Sequence, residues 1–118
     1  MKHAEAALQM DVARYLGVAL PPTAFWWHCP NGGRRGAREG GRFKLMGVKP
    51  GVPDIALLFA GKTYFIELKS PTGRLSPAQK ALHPILTGAG SPVAVCTDVR
   101  GVEAVLRGWE IPVKARVT

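Results

Sequence analysis

The sequence predicts a mixed α/β domain, a small sheet flanked by helices, and three observations carry that expectation. Short β-rich runs alternate with segments of helical periodicity, in the order α-β-loop-β-β-α-β-α. The helical segments end at glycine or start at a capping residue. The 118 residues suit one domain, 1–118, and are enough to bury about two-thirds of the unfolded surface without a disulfide or structural metal.

Taken in order, His3 to Leu16 reads as a helix. Ala4, Leu8 and Val12 recur at four-residue spacing, Tyr15 and Leu16 extend the stripe, and Gly17 is the expected cap. Pro21-Pro22 break it. Phe25 to His28, with two adjacent tryptophans, is a short strand whose indoles are expected in the core. From Pro30 to Pro50 the chain is a glycine-rich loop with one short helix near Arg38 to Met46. Ile55 to Phe59 and Thr63 to Lys69 form a hairpin around Ala60-Gly61-Lys62. "SPAQ" then starts a helix: Ser76 is the N-cap, Pro77 takes the first helical position and Gln79 completes a capping box. That helix is expected to reach Thr87, bent at Pro84, and to stop at Gly88. Pro92 to Cys96 is a buried strand, and Thr97 or Asp98 caps a last helix through Leu106, closed by Gly108. No internal repeat or interdomain linker is visible.

Sixteen Lys and Arg against eight Asp and Glu give a net charge of +8, which favours a polyanionic partner, nucleic acid above all. The charge is clustered. Arg34, Arg35, Arg38, Arg42, Lys44 and Lys49 lie between Pro30 and Pro50, opposed only by Glu39. Glycines there let backbone approach a ligand closely, so the run is read as phosphate-contacting rather than as a plain solvated face. Cys29 and Cys96 are expected to be two free thiols, without zinc-site spacing. No apolar run has the length of a membrane span and no signal-peptide core is present, so a soluble, cytoplasmic protein is expected.

Two motifs fail. "GKT" at Gly61 lacks the first glycine of a P-loop, and "GRRG" at Gly33 lacks the flanking helices of a GxxG clamp. His3, His28 and His83 have no ligand spacing and are read as structural.

The candidate site comes from strand parity. Phe65, Glu67 and Lys69 share one face, and in a hairpin turning near Gly61, Asp54 falls opposite the Lys69 end. Two carboxylates and a lysine gathered there suit a hard divalent cation, Mg²⁺ or Mn²⁺, with the lysine beside a developing negative charge. The competing reading is a structural salt bridge from Lys69 to Glu67 or Asp54. Glu5 lies on or beside the inward face of the first helix, where a shared cation, Lys2, Arg14 or solvent are equally open as partners.

These residues resemble the PD-(D/E)xK nuclease superfamily, through Pro53-Asp54 and Glu67-Leu68-Lys69. More closely, "PNGG" at Pro30, "GVKPGVPDIAL" at Gly47, "IELKSPTGRLSPAQ" at Ile66 and the glycine before "SPVAVC" look like its VRR-NUC branch. The resemblance covers nearly the whole chain. It implies a restriction-endonuclease-like core and metal-dependent phosphodiester hydrolysis. By position it makes Asp54, Glu67 and the Leu68 carbonyl metal ligands, Lys69 the catalytic lysine, Glu5 the helical acid and Gln79 a further site residue. A homodimeric endonuclease for branched DNA such as four-way junctions is the leading expectation. The alternatives are a flap nuclease, exonuclease or nickase, and a nucleic-acid-binding module without catalysis.

Overall fold

The hairpin expected between Ile55 and Lys69 is the centre of the fold, and the other strands add to its two edges. The computed structural model describes residues 2–30 and 37–114. Its elements are α1 (Lys2–Ala19), β1 (Ala24–His28), α2 (Ala37–Leu45), β2 (Ile55–Phe59), β3 (Lys62–Leu68), α3 (Pro77–Gly88), β4 (Val93–Cys96) and α4 (Val99–Gly108). The strands form one sheet in the order β1-β2-β3-β4. β1 and β3 flank β2 antiparallel, and β4 joins β3 in parallel after the α3 crossover.

One sheet face and two helices make the core. Ile55, Leu57, Tyr64, Ile66, Leu68 and Cys96 alternate along their strands onto that face, where Val12, Leu16 and Ala19 of α1 and Val102 and Leu106 of α4 cover them. The opposite face carries Phe25 and Trp27 on β1, Leu58 on β2, Phe65 and Glu67 on β3 and Val95 on β4, as the register requires. Adjacent strand residues point to opposite faces, which corrects the expectation for the tryptophans. Trp26 packs against the core, whereas Trp27 is 42% exposed.

Two boundaries also differ from expectation. α1 continues through Gly17 to Ala19, because Ala19 is fully buried and Leu20 nearly so. Burying that turn outweighs the roughly 1 kcal/mol cost of a helical glycine, and Pro21 stops the helix. In the hairpin, Lys62 already pairs with Phe59, so the turn is only Ala60-Gly61, with φ of 52° and 78°. Both values are left-handed, as a two-residue type I′ turn requires. The capping box at α3 forms as expected, with Ser76 and Gln79 bonding reciprocally. Asp98, not Thr97, caps α4 by accepting from the Gly101 amide. Cys29 and Cys96 are free, and no helix among the described residues is long and apolar enough to cross a membrane.

Ala60 carries a positive φ that an L-residue tolerates poorly. Ala60→Asn should raise stability by about 0.5–1 kcal/mol, since asparagine adopts this conformation at lower cost. Urea denaturation checks this, and a lowered midpoint would show that the turn is not the strained type I′ form.

Candidate active site

The ladder between β2 and β3 ends at Ile55 paired with Ile66, so the next residue on each strand, Asp54 and Glu67, face one another. The sequence placed Asp54 nearer Lys69; the two-residue turn moves it into register with Glu67. Asp54 is held firmly. Its carbonyl accepts the Cys29 amide at 2.7 Å and lies 2.9 Å from His28 Nδ1, and its Oδ2 accepts the Leu68 amide at 2.7 Å.

Glu67 lies on the face away from the main core, yet it is only 2% exposed. Its Oε2 accepts a hydrogen bond from Gln79 Nε2 at 3.1 Å. Among the described residues its Oε1 has no hydrogen-bond partner and faces His83 Nε2, likewise without one, at 3.6 Å. Burial, then the negative charge of Asp54 and a hydrogen bond shared with its carboxyl, push the Glu67 pKa up to about 8. The charge of Lys69 works in the opposite direction, and that of Glu5 adds to the rise. Among the described residues no ion pair joins Lys69 to either carboxylate, so the salt-bridge reading finds no support. Lys69 continues the pairing with β4 through its amide, which donates to Cys96 O at 3.0 Å.

Gln79 does two things at once. Its Oε1 accepts the Ser76 amide at 2.8 Å, completing the cap of α3, while its Nε2 reaches Glu67. The loop ahead of Asp54 is seated against the same helix turn. Gly51 has φ +85°, and a Cβ there would lie 2.6 Å from the Ala78 carbonyl oxygen. Only glycine fits this approach of backbone to backbone.

Glu5 reaches the rim of the site rather than its centre. Its Oε2 accepts the Ser70 amide at 3.4 Å, just past the end of β3. Arg14, one alternative partner, pairs with Asp11 instead. Among the described residues no group of three or more His, Cys, Asp or Glu side chains is placed to hold a metal ion. What the structure brings together here is the pair of Asp54 and Glu67 carboxyls, with Leu68 between Glu67 and Lys69 in the chain.

Of the basic residues, Arg34 and Arg35 lie outside the described residues, and Arg38 falls in α2 with its side chain not described. Arg42, Lys44 and Lys49 are exposed. Lys44 and Lys49 line a cleft of about 320 Å³ together with Pro30, Gly40, Phe43, Val48 and Pro50. Sequence reasoning missed His83. Its signal was the four-residue spacing from Gln79, which puts both on one face of α3.

Because Glu67 titrates near pH 8 in the folded chain and near 4.5 when unfolded, the folded state binds more protons between those values. Stability of the metal-free protein should therefore fall as pH rises through that window. Glu67→Gln should remove this slope, leaving stability unchanged below about pH 4.5 and raising it by a few kcal/mol near pH 8. Chemical denaturation across pH checks the point; a slope that persists in the variant would place its origin elsewhere.

Against known proteins, the family model described as the VRR-NUC domain matches residues 30–100. No curated protein matches the chain. A solved structure described as a VRR_NUC domain protein superposes with a TM-score of 0.72 at 24% identity, over 90% of this chain and 87% of that one. A second, described as a VRR_NUC domain, gives 0.60 at 17% identity, over 90% of this chain and 97% of that one. The shared fold is consistent with the restriction-endonuclease-like core. The matched span takes in more than half of the chain and both strands of the hairpin, so the chain belongs to the VRR-NUC family, a family of nuclease domains.

Proposed function

We propose that the protein is a divalent-metal-dependent DNA endonuclease that acts on branched DNA such as four-way junctions. The observation that supports this best is the buried Glu67 carboxyl, pressed against Asp54 with Oε1 unpartnered. Two acids so placed are costly to ionise unless a cation shares them. The donors are all hard oxygens, two carboxyls and a carbonyl, which suits Mg²⁺ or Mn²⁺ keeping several waters of its own. Asp54, Glu67 and the Leu68 carbonyl would hold the ion, with Glu5 acting at one remove through Ser70 or a water. Bound there, the ion supplies a water of lowered pKa and positive charge for the phosphoryl oxygens.

The remaining roles belong to the chain. Lys69, with no ion pair among the described residues, is available to orient the attacking water and to neutralise charge developing on phosphorus. Gln79 fixes the rotamer of Glu67. Arg34, Arg35, Arg38, Arg42, Lys44 and Lys49 contact phosphates and position the duplex without reading its sequence. Cutting a junction symmetrically needs two sites related by a two-fold axis, hence a homodimer. A role in DNA repair fits that substrate. A flap nuclease, exonuclease or nickase would use the same chemistry. A binding module without catalysis gains nothing from an acid pair that opposes folding.

Asp54→Ala and Glu67→Ala should each abolish cleavage in Mg²⁺ while leaving DNA binding in Ca²⁺ intact; near wild-type cutting by either would move the site. Lys69→Ala should slow cleavage about 10²–10³-fold with metal affinity nearly unchanged, and calorimetry showing lost metal binding would recast Lys69 as a partner of the acids. A panel of labelled duplex, flap, four-way junction and single strand tests the substrate class directly.

Neutralising Arg34, Arg35 and Arg38 together should flatten the salt dependence of DNA binding, by roughly 0.9 in the slope of log K per lost phosphate contact. An unchanged slope in a titration would make this run an ordinary solvated segment.

A further inference from the structure

The face of the sheet that carries Glu67 is not fully covered. α3 lies over its β4 side, and at the β1 edge Phe25 is 65% exposed, Trp27 42% and Leu58 43%. Phe25 and Leu58 are cross-strand partners, and the Phe25 and Trp27 rings adjoin with centroids 5.8 Å apart at 37°. Side chains two apart on a strand share a face, so the pair forms one continuous aromatic surface. At this exposure the Trp27 indole presents apolar ring surface to solvent.

The register locates this surface relative to the acids. The amide of Cys29 bonds to Asp54, so Trp27 lies two residues, or about 7 Å, along β1 from the level of the carboxylates. Past that level, on the other side, Pro30 opens the cleft that holds Lys44 and Lys49. Aromatic rings, acid pair and basic cleft thus follow one another along the end of the sheet, in a chain of net charge +8. That charge favours a nucleic-acid occupant over an apolar protein segment. An exposed aromatic surface beside phosphate-binding cations is what a nucleobase stacks on, and a base can present its flat face only when it is unpaired.

We propose that Phe25 and Trp27 form a stacking platform for an unpaired nucleobase next to the scissile phosphate. This inference rests on the nuclease reading and narrows its substrate to nucleic acid that is unpaired at the cut: a fork, a flap, a single strand, or a junction opened at its branch point.

The test is metal-free binding, which does not depend on cleavage, using labelled oligothymidylate and a hairpin duplex of equal charge. Phe25→Ala and Trp27→Ala should each weaken oligothymidylate binding about ten-fold, within the range of one lost base–aromatic stack, and duplex binding less than two-fold. Trp27→Phe should restore most of the loss, which a purely structural role would not predict. Oligothymidylate should also quench wild-type tryptophan fluorescence, with most of that quench absent in Trp27→Phe. Equal losses on both ligands, or no loss on oligothymidylate, would overturn the platform and leave the nuclease reading standing. A fall in sedimenting mass on Trp27→Ala would overturn it too, by assigning this face to a second copy of the chain. Wild-type protein that binds neither ligand would remove the nuclease reading along with it.

Discussion

Two carboxyl groups in contact, one of them cut off from solvent, set the terms for everything around them. Glu67 is 2% exposed and hydrogen-bonded to Asp54, and both stand at the open end of the β2–β3 hairpin. Left alone, such a pair would separate or swing into water. It does neither because each acid is tied down from a different direction. The Leu68 amide holds the Asp54 side chain, β1 holds its carbonyl, and α3 holds Glu67 through Gln79. The parallel strand β4 completes the arrangement by pairing with the edge of β3 opposite β2, up to the Lys69 amide. The local stability given up here is drawn from the core on the opposite face, which is apolar and tightly alternating.

Much of this could be read from the sequence because it rests on local rules. The hairpin, the capping box and the placing of Asp54 against the Glu67–Lys69 segment follow from periodicity of two and from turn and cap chemistry, which act over a few residues. What escaped was decided over longer distances. α1 passes through Gly17 because Ala19 and Leu20 find burial against elements far along the chain. Trp27 departs from Trp26 by parity alone, and parity says that two neighbours part but not which of them is buried; that depends on where α1, α3 and α4 settle. The approach of His83 to Glu67 was not legible because spacing along the chain says little about a side chain that faces a residue on a different element.

The charge distribution separates into two tasks that do not interfere. At the sheet end Glu67 is buried and Asp54 half-buried, while the described cations Arg42, Lys44 and Lys49 are exposed on α2 and the loop after it. Had those cations reached Asp54 or Glu67, ion pairs would have neutralised the acids. Among the described residues, the charge of Lys69 pulls the Glu67 pKa down, and that pull does not offset burial and the Asp54 charge. A protein of net charge +8 thus holds a locally acidic centre, with these cations turned to solvent rather than paired with the acids.

Gln79 shows why a complete structural explanation of a residue does not exhaust its role. A capping box needs only an acceptor at this position, and glutamate is an equally good member of that motif. Glutamate would satisfy Ser76 as well as Gln79 does, but it would bring a third carboxylate against Glu67, where glutamine brings an N–H donor at 3.1 Å. The choice of amide over acid is explained by the Glu67 side of the residue and not by the helix side. The same side chain that starts α3 thus sets the orientation of Glu67, so the helix cannot be capped in this way without also fixing the acid. Gly51 links the other acid to this turn, since the loop leading to Asp54 approaches Ala78 more closely than any side chain allows. Both carboxyls are positioned from the first turn of one helix, and the geometry of the pair is inherited from how that helix begins.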